Sequence, residues 1–238
     1  MSWLSDPEIW ASLLTLTVLE IVLGIDNLVF IALTAGRLPH ESRAKARKVG
    51  LCLALVTRLL LLGAISWIVG LTRPLFEIGG HAVSWRDLVL IAGGFFLLYK
   101  GTVEIHHGME EESGEQAPLH RKASLLKVVL EIMVLDIVFS LDSVITAVGM
   151  AEHYLVMAAA IVIAVFIMLL ASGPLSVFIH KHPTVKMLAL SFLLLVGMTL
   201  VADGAGFHVP KGYIYAAIGF SIAVETLNQL AASRRKKG

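Results

Sequence analysis

Cysteine occurs once, at Cys52, so no disulfide can form within one chain. It sits in an apolar run, which predicts a buried thiol. Charge is sparse: 16% of residues are Asp, Glu, Lys or Arg, against about 25% in an ordinary soluble domain. A net charge of +1 offers no basis for a polyanionic partner, so nucleic acid is excluded. The signatures of catalysis are missing as well. There is no HExxH, no phosphate-cradling glycine loop and no pair of CxxC motifs, and no serine is paired with a histidine near the middle of an apolar segment. No enzymatic activity is expected. The first residues lack a basic stretch and a small-residue cleavage site, so the first apolar segment reads as a permanent helix rather than a cleaved signal.

What the chain has instead is apolar sequence, 57% of it, gathered in blocks. Crossing a hydrocarbon layer about 30 Å thick takes about 20 apolar residues in a helix. Seven segments qualify: Ile9–Leu33, Val49–Leu71, Leu88–Val103, Leu125–Val148, Tyr154–Ser172, Val185–Ala202 and Tyr213–Ala232. Basic residues mark alternate connections. Arg37, Arg43, Lys45, Arg47 and Lys48 follow the first segment, and Lys100, Arg121, Lys122 and Lys127 flank the third connection. Lys181 and Lys186 lie in the fifth, and Arg234, Arg235, Lys236 and Lys237 in the tail. The other connections hold only Arg73, Arg86 and Lys211. This bias predicts an N-terminus outside and a C-terminus in the cytoplasm of a bacterial inner membrane.

Two segments resemble each other. Glu20-Ile-Val-Leu-Gly-Ile-Asp26-Asn27 aligns without a gap on Asp136-Ile-Val-Phe-Ser-Leu-Asp142-Ser143. A weaker echo links Gly94-Phe-Phe-Leu-Leu with Ser191-Phe-Leu-Leu-Leu. The repeat unit is therefore three helices, and an odd number inverts the second copy relative to the first, an arrangement frequent in secondary transporters. The expected fold is all-α: one polytopic membrane domain over residues 1–238, with repeat 1 at about 8–105, a cytoplasmic loop at 106–124, repeat 2 at about 125–203 and an extra C-terminal helix at 213–232.

A carboxylate in the middle of a membrane helix costs a few kcal/mol or more and marks a functional site by default. The first and fourth segments carry Glu20, Asp26, Glu131, Asp136 and Asp142. Glu20 and Asp136 fall near the midpoints, with Asp26 and Asp142 six residues on, roughly 9 Å along the helix. Positions six apart differ by about 120° in direction. Either the helices unwind near Gly24 and Ser140, which is the favoured expectation, or each acid serves a different neighbour. The set Glu20, Asp26, Asn27, Asp136, Asp142 and Ser143 offers hard oxygen donors without thiolate or imidazole. It suits Mn²⁺, Mg²⁺ or Ca²⁺. Without a cation, clustered carboxylates repel and some hold protons.

The alternative is that these acids are paired with buried bases, but Arg58 is the one basic residue well inside a segment and could neutralise one acid, not four. Arg58 is either a counter-ion of the site or a packing partner. Glu225 and Asn228 share a face of the last segment and either extend the pathway or make structural hydrogen bonds. The stretch Glu104–Glu115, with His106 and His107, reads as a solvated loop.

The motif Glu20-Ile-Val-Leu-Gly-Ile-Asp-Asn27, its partner Asp136-Ile-Val-Phe-Ser-Leu-Asp-Ser143, and Pro210-Lys-Gly-Tyr-Ile-Tyr215 followed by Glu225 and Asn228 resemble the TerC family of integral membrane proteins, in its short bacterial branch. The resemblance runs from Trp10 to Asn228. It implies kinship with the LysE-type transporter group and with manganese exporters, and it carries Asp26, Asn27, Asp136, Asp142 and Ser143 over as metal-pathway residues, with Glu20 at the equivalent repeat position. The expected function is efflux of a divalent cation, Mn²⁺ first, between helices one and four and coupled to protons. Arg58, Glu131, Glu225 and Asn228 would line the path or balance its charge. No permanent cofactor is expected, and the partners are lipid, the metal ion and a second copy of the chain as a homodimer. The rival readings are a LysE-like exporter of a small solute and a membrane subunit supporting metal loading of exported proteins. The name's reference to tellurium resistance finds no counterpart in the residues.

Overall fold

The structure is a computed structural model that describes residues 7–64, 72–78, 81–112, 124–148 and 154–235, and their side chains except at 78, 81, 110–112, 142, 143, 145–148 and 232–235. Seven α-helices appear among the described residues: α1 (Pro7–Gly36), α2 (His40–Gly63), α3 (Trp85–Glu112), α4 (Leu125–Val148), α5 (Tyr154–Lys181), α6 (Pro183–Gly204) and α7 (Lys211–Arg235). Five of them, α1, α3, α5, α6 and α7, are long and apolar enough to cross a membrane. Of the other two, α2 carries Arg43, Lys45, Arg47, Lys48 and Arg58, and α4 carries Lys127, Glu131, Asp136 and Asp142.

Several helices outrun their apolar segments, because a helix has no reason to stop where polarity changes if its residues still favour the conformation. α2 starts at His40, just after Pro39, rather than at Val49; its expected last residues, 65–71, lie outside the described residues. α3 continues to Glu112, so residues 104–112 are helical and not loop. α5 reaches Lys181 and stops against Pro183, whose ring pushes His182 into an extended conformation (φ −123, ψ 97). Two antiparallel strands, β1 (Pro74–Ile78) and β2 (His81–Ser84), with Glu77 opposite Ala82, lie between α2 and α3 in the sequence; apolar-segment counting gave no sign of them.

The chain forms two compact units. The first, residues 1–86 and 119–178, holds α1, α2, the two strands, α4 and most of α5. Within it α2 lies along α4, and α1 packs on both. The buried face of α2 is Ala46, Gly50, Leu51, Ala54, Arg58 and Leu62, a single stripe at helical spacing. Cys52 is one position off that stripe and is exposed, so the expected buried thiol is not found. Phe30, Ile31, Leu51, Ile132 and Leu135 are fully buried. The last turn of α1 lies beside the start of α4 through Arg37 and Glu131 (3.8 Å), and the start of α2 meets the end of α5 through Arg47 and Ser176 (3.4 Å).

The second unit, residues 87–118 and 179–238, holds α3 from Asp87, α6 and α7. α3 and α6 run antiparallel in backbone contact. A Cβ on Gly94 would sit 2.6 Å from the Gly197 carbonyl oxygen and 2.9 Å from the Val201 nitrogen, and one on Gly204 would sit 2.6 Å from the Asp87 carbonyl oxygen. Close approach of this kind is how helices associate in lipid, where apolar side chains gain nothing by leaving the hydrocarbon.

Candidate functional site

The site is built on one face of each of three helices in the first unit. On α1, Thr17, Glu20, Gly24 and Asn27 follow at spacings of three and four and are buried. On α4, Ile132, Asp136 and Ser140 follow at spacings of four and are fully buried. Thr57 and Arg58 reach them from α2.

Arg58, 2% exposed, lies between two carboxylates. Its Nη1 donates to Glu20 Oε2 at 2.9 Å, while Nη2 and Nε donate to Asp136 Oδ1 at 3.0 and 3.2 Å. Asp136 takes two further hydrogen bonds: Asn27 Nδ2 donates to Oδ1 at 2.6 Å and the Thr57 hydroxyl to Oδ2 at 3.0 Å. Asp136 is 0% exposed and is surrounded by donors from Arg58, Asn27 and Thr57, the last of which also lies 2.9 Å from the Ala54 carbonyl. The expectation that Arg58 neutralises a single acid is therefore revised. The guanidinium is a planar fork with five donors and can serve two acids at once.

Asn27 can only be oriented with its NH₂ toward Asp136, because the reverse would set two acceptors against each other at 2.6 Å. Its own Oδ1 is then buried without a hydrogen-bond partner among the described residues, as is the Thr17 hydroxyl. Leaving a buried acceptor unsatisfied costs about 1–3 kcal/mol. One arginine also leaves the two carboxylates, if both are ionised, short of one positive charge. The arrangement is thus suited to accept a proton, a cation or a water bearing a donor.

The remaining predicted residues divide clearly. α1 and α4 run unbroken through Gly24 and Ser140, contrary to the favoured expectation of a break. Gly24 instead makes room for Met168, whose sulfur would lie 2.7 Å from a Cβ there. Asp26 is half-buried, on a different side of α1 from Glu20, as six-residue spacing demands. Asp142 and Ser143 lie on α4 at residues whose side chains fall outside those described. Glu131 faces Arg37 near the start of α4. Glu225 and Asn228 belong to the second unit, where Glu225 accepts hydrogen bonds from Thr184 Oγ1 at 2.5 Å and Gln229 Nε2 at 3.0 Å. Among the described residues no three His, Cys, Asp or Glu side chains come together as a metal-ligand group. Sequence reading missed Thr17 and Thr57. The first could have been found as the residue three before Glu20 on the same face, the second as the neighbour of the one arginine inside a span.

Apolar helices that carry a buried, hydrogen-bonded charge cluster define a polytopic membrane protein with a polar site inside its helices. The chain belongs to the integral membrane protein TerC family, whose pattern matches residues 5–238. It is similar to YegH of Escherichia coli (strain K12), with 55% identity over 237 residues covering 100% of this chain and 45% of YegH. To the inner membrane protein YoaE of the same organism it is 58% identical over 231 residues, covering 97% of this chain and 45% of YoaE. To the inner membrane protein YgdQ it is 52% identical over 236 residues, covering 99% of this chain and 98% of YgdQ. The chain thus spans about half the length of YegH and YoaE and nearly the whole of YgdQ. Like YoaE and YgdQ, it is a protein of the inner membrane. No solved structure matches it.

Proposed function

We propose that this protein transports a divalent cation, Mn²⁺ above others, out of the cytoplasm in exchange for protons, and that it is a carrier and not an enzyme. The observation that carries the reading is the buried Glu20–Arg58–Asp136 cluster, with the Asn27 oxygen beside it unpartnered among the described residues. Buried ionisable groups inside membrane helices mark ion pathways. The metal-binding set in this reading is Glu20, Asp26, Asn27, Asp136, Asp142 and Ser143, all on α1 and α4, whose oxygens match a hard cation. Arg58 holds the two central acids while no cation is bound, and one of them exchanges the guanidinium for the metal.

The repeat reading is supported by which helices pair. α1 meets α4 through Asn27 and Asp136, and α3 meets α6 through Gly94 and Gly197, each helix beside its counterpart in the other half. In this reading the halves are inverted, the N-terminus is outside and the C-terminus is cytoplasmic. A carboxylate-bearing solute as substrate is disfavoured, because Arg58, the arginine of this site, is already engaged on two sides. In cells sensitised to manganese, Asp26→Asn or Asp142→Asn should abolish the tolerance that the unsubstituted protein confers. Full tolerance in both variants at normal expression would refute the proposal.

A further inference from the structure

Away from the central site, the first two turns of α2 carry Arg43, Lys45 and Arg47 against one acid, Glu41. Arg43 and Arg47 lie four apart on one side of the helix, and both are half-buried. Arg43 uses its Nε on the Leu38 carbonyl at 2.8 Å. Arg47 donates from Nη1 to Ser176 Oγ on α5 at 3.4 Å, while its Nε is buried without a hydrogen-bond partner. Neither has a carboxylate partner among the described residues. The start of a helix is the positive end of its dipole, where cations are disfavoured and anions favoured. Burial first, and the like charge of Arg43 second, hold the Arg47 guanidinium below its ordinary value. Two guanidiniums four residues apart and partly desolvated are a configuration that an anion would relieve.

The level at which they lie identifies the anion. α2 is polar from His40 to Lys48 and apolar from Val49, so Arg43 and Arg47 sit within two turns of the apolar boundary. Ser176 lies about one turn before His180 and Lys181, where the apolar run of α5 gives way to charge. This is headgroup depth, where basic pockets between membrane helices take lipid phosphates. The geometry points to a phosphate-binding site formed by Arg43, Arg47 and Ser176 between α2 and α5, which takes the headgroup of an anionic phospholipid. Arginine suits this use because its fork can donate two parallel hydrogen bonds to one phosphate.

The test uses the full chain purified in detergent, with retained lipid read by native mass spectrometry and stability by thermal melting. Phosphatidylglycerol should be retained and should raise the melting temperature; phosphatidylcholine, whose phosphate is offset by its choline, should do neither. Arg43→Gln with Arg47→Gln should weaken phosphatidylglycerol retention on the order of thirtyfold, from about one surface-attraction increment per arginine. Arg43→Lys with Arg47→Lys should keep most of it. Inorganic phosphate that displaces the lipid and stabilises the protein equally would identify a free phosphate as the ligand of the same site; no displacement would identify the intact headgroup. Equal retention of the two lipids by the unsubstituted chain would overturn the proposal, even if the glutamine variant failed to fold. So would unchanged retention in that variant.

Discussion

Arg58→Leu is expected to lower the stability of the purified protein by about 3–5 kcal/mol, the usual penalty for removing one partner of a buried ion pair. The substitution leaves Glu20 and Asp136 buried and adjacent, with three of the donated hydrogen bonds gone. Asn27 and Thr57 would still serve Asp136, but Glu20 would lose the guanidinium that lies 2.9 Å from it. Thr57→Val, which removes one neutral hydroxyl from the same carboxylate, should cost only about 1 kcal/mol. Combining Arg58→Leu with Glu20→Gln and Asp136→Asn should recover most of the loss, since an apolar or neutral replacement of a whole buried ion cluster is often tolerated. Thermal melts in detergent compare all of these. An Arg58→Leu loss no larger than that of Thr57→Val would mean that the guanidinium does not hold the two acids.

The second large effect lies in the other unit. Gly94→Leu is expected to prevent α3 and α6 from docking, and even Gly94→Ala should cost about 1–3 kcal/mol, the range for forcing extra atoms into a packed contact. The obstacle is backbone: the Gly197 oxygen at 2.6 Å and the Val201 nitrogen at 2.9 Å cannot rotate aside as a side chain would. Gly219 on α7 is the internal control, because a Cβ there meets nothing within 4 Å. Gly219→Ala should be neutral or slightly stabilising through helix propensity. If Gly94→Ala melts at the same temperature as Gly219→Ala, the backbone contact between α3 and α6 does not exist as described.

These two sites also show what could be read from the sequence and what could not. The helices were legible because apolar blocks of this length have few other uses, and the two acidic motifs because aligned carboxylates in such blocks are costly. The burial of Glu20 and Asp136 followed from their central positions. Which residue answers them did not, since Arg58 comes from α2, and helix packing brings together positions 38 and 78 residues apart. The expected break at Gly24 was wrong for a local reason: a helical glycine serves equally as a place where a neighbour such as Met168 comes close. The early start of α2 and the extension of α3 to Glu112 were hidden because apolar counting finds the membrane boundary and not the helix end. The paired strands at residues 74–78 and 81–84 are too short and too mixed in polarity to announce themselves. The echo between Gly94 and Ser191 was a match of sequence and not of contact, and the meeting of Gly94 with Gly197 had no sign in it.

The central claim is that the buried acids move a divalent cation, and flux tests it most directly. The full chain in proteoliposomes should carry Mn²⁺ across the membrane with accompanying counter-movement of protons, and Asp142→Asn should abolish that flux while leaving the protein folded. Absence of flux for Mn²⁺, Ca²⁺ and Zn²⁺ alike, or Mn²⁺ flux that Asp142→Asn leaves intact, would contradict it.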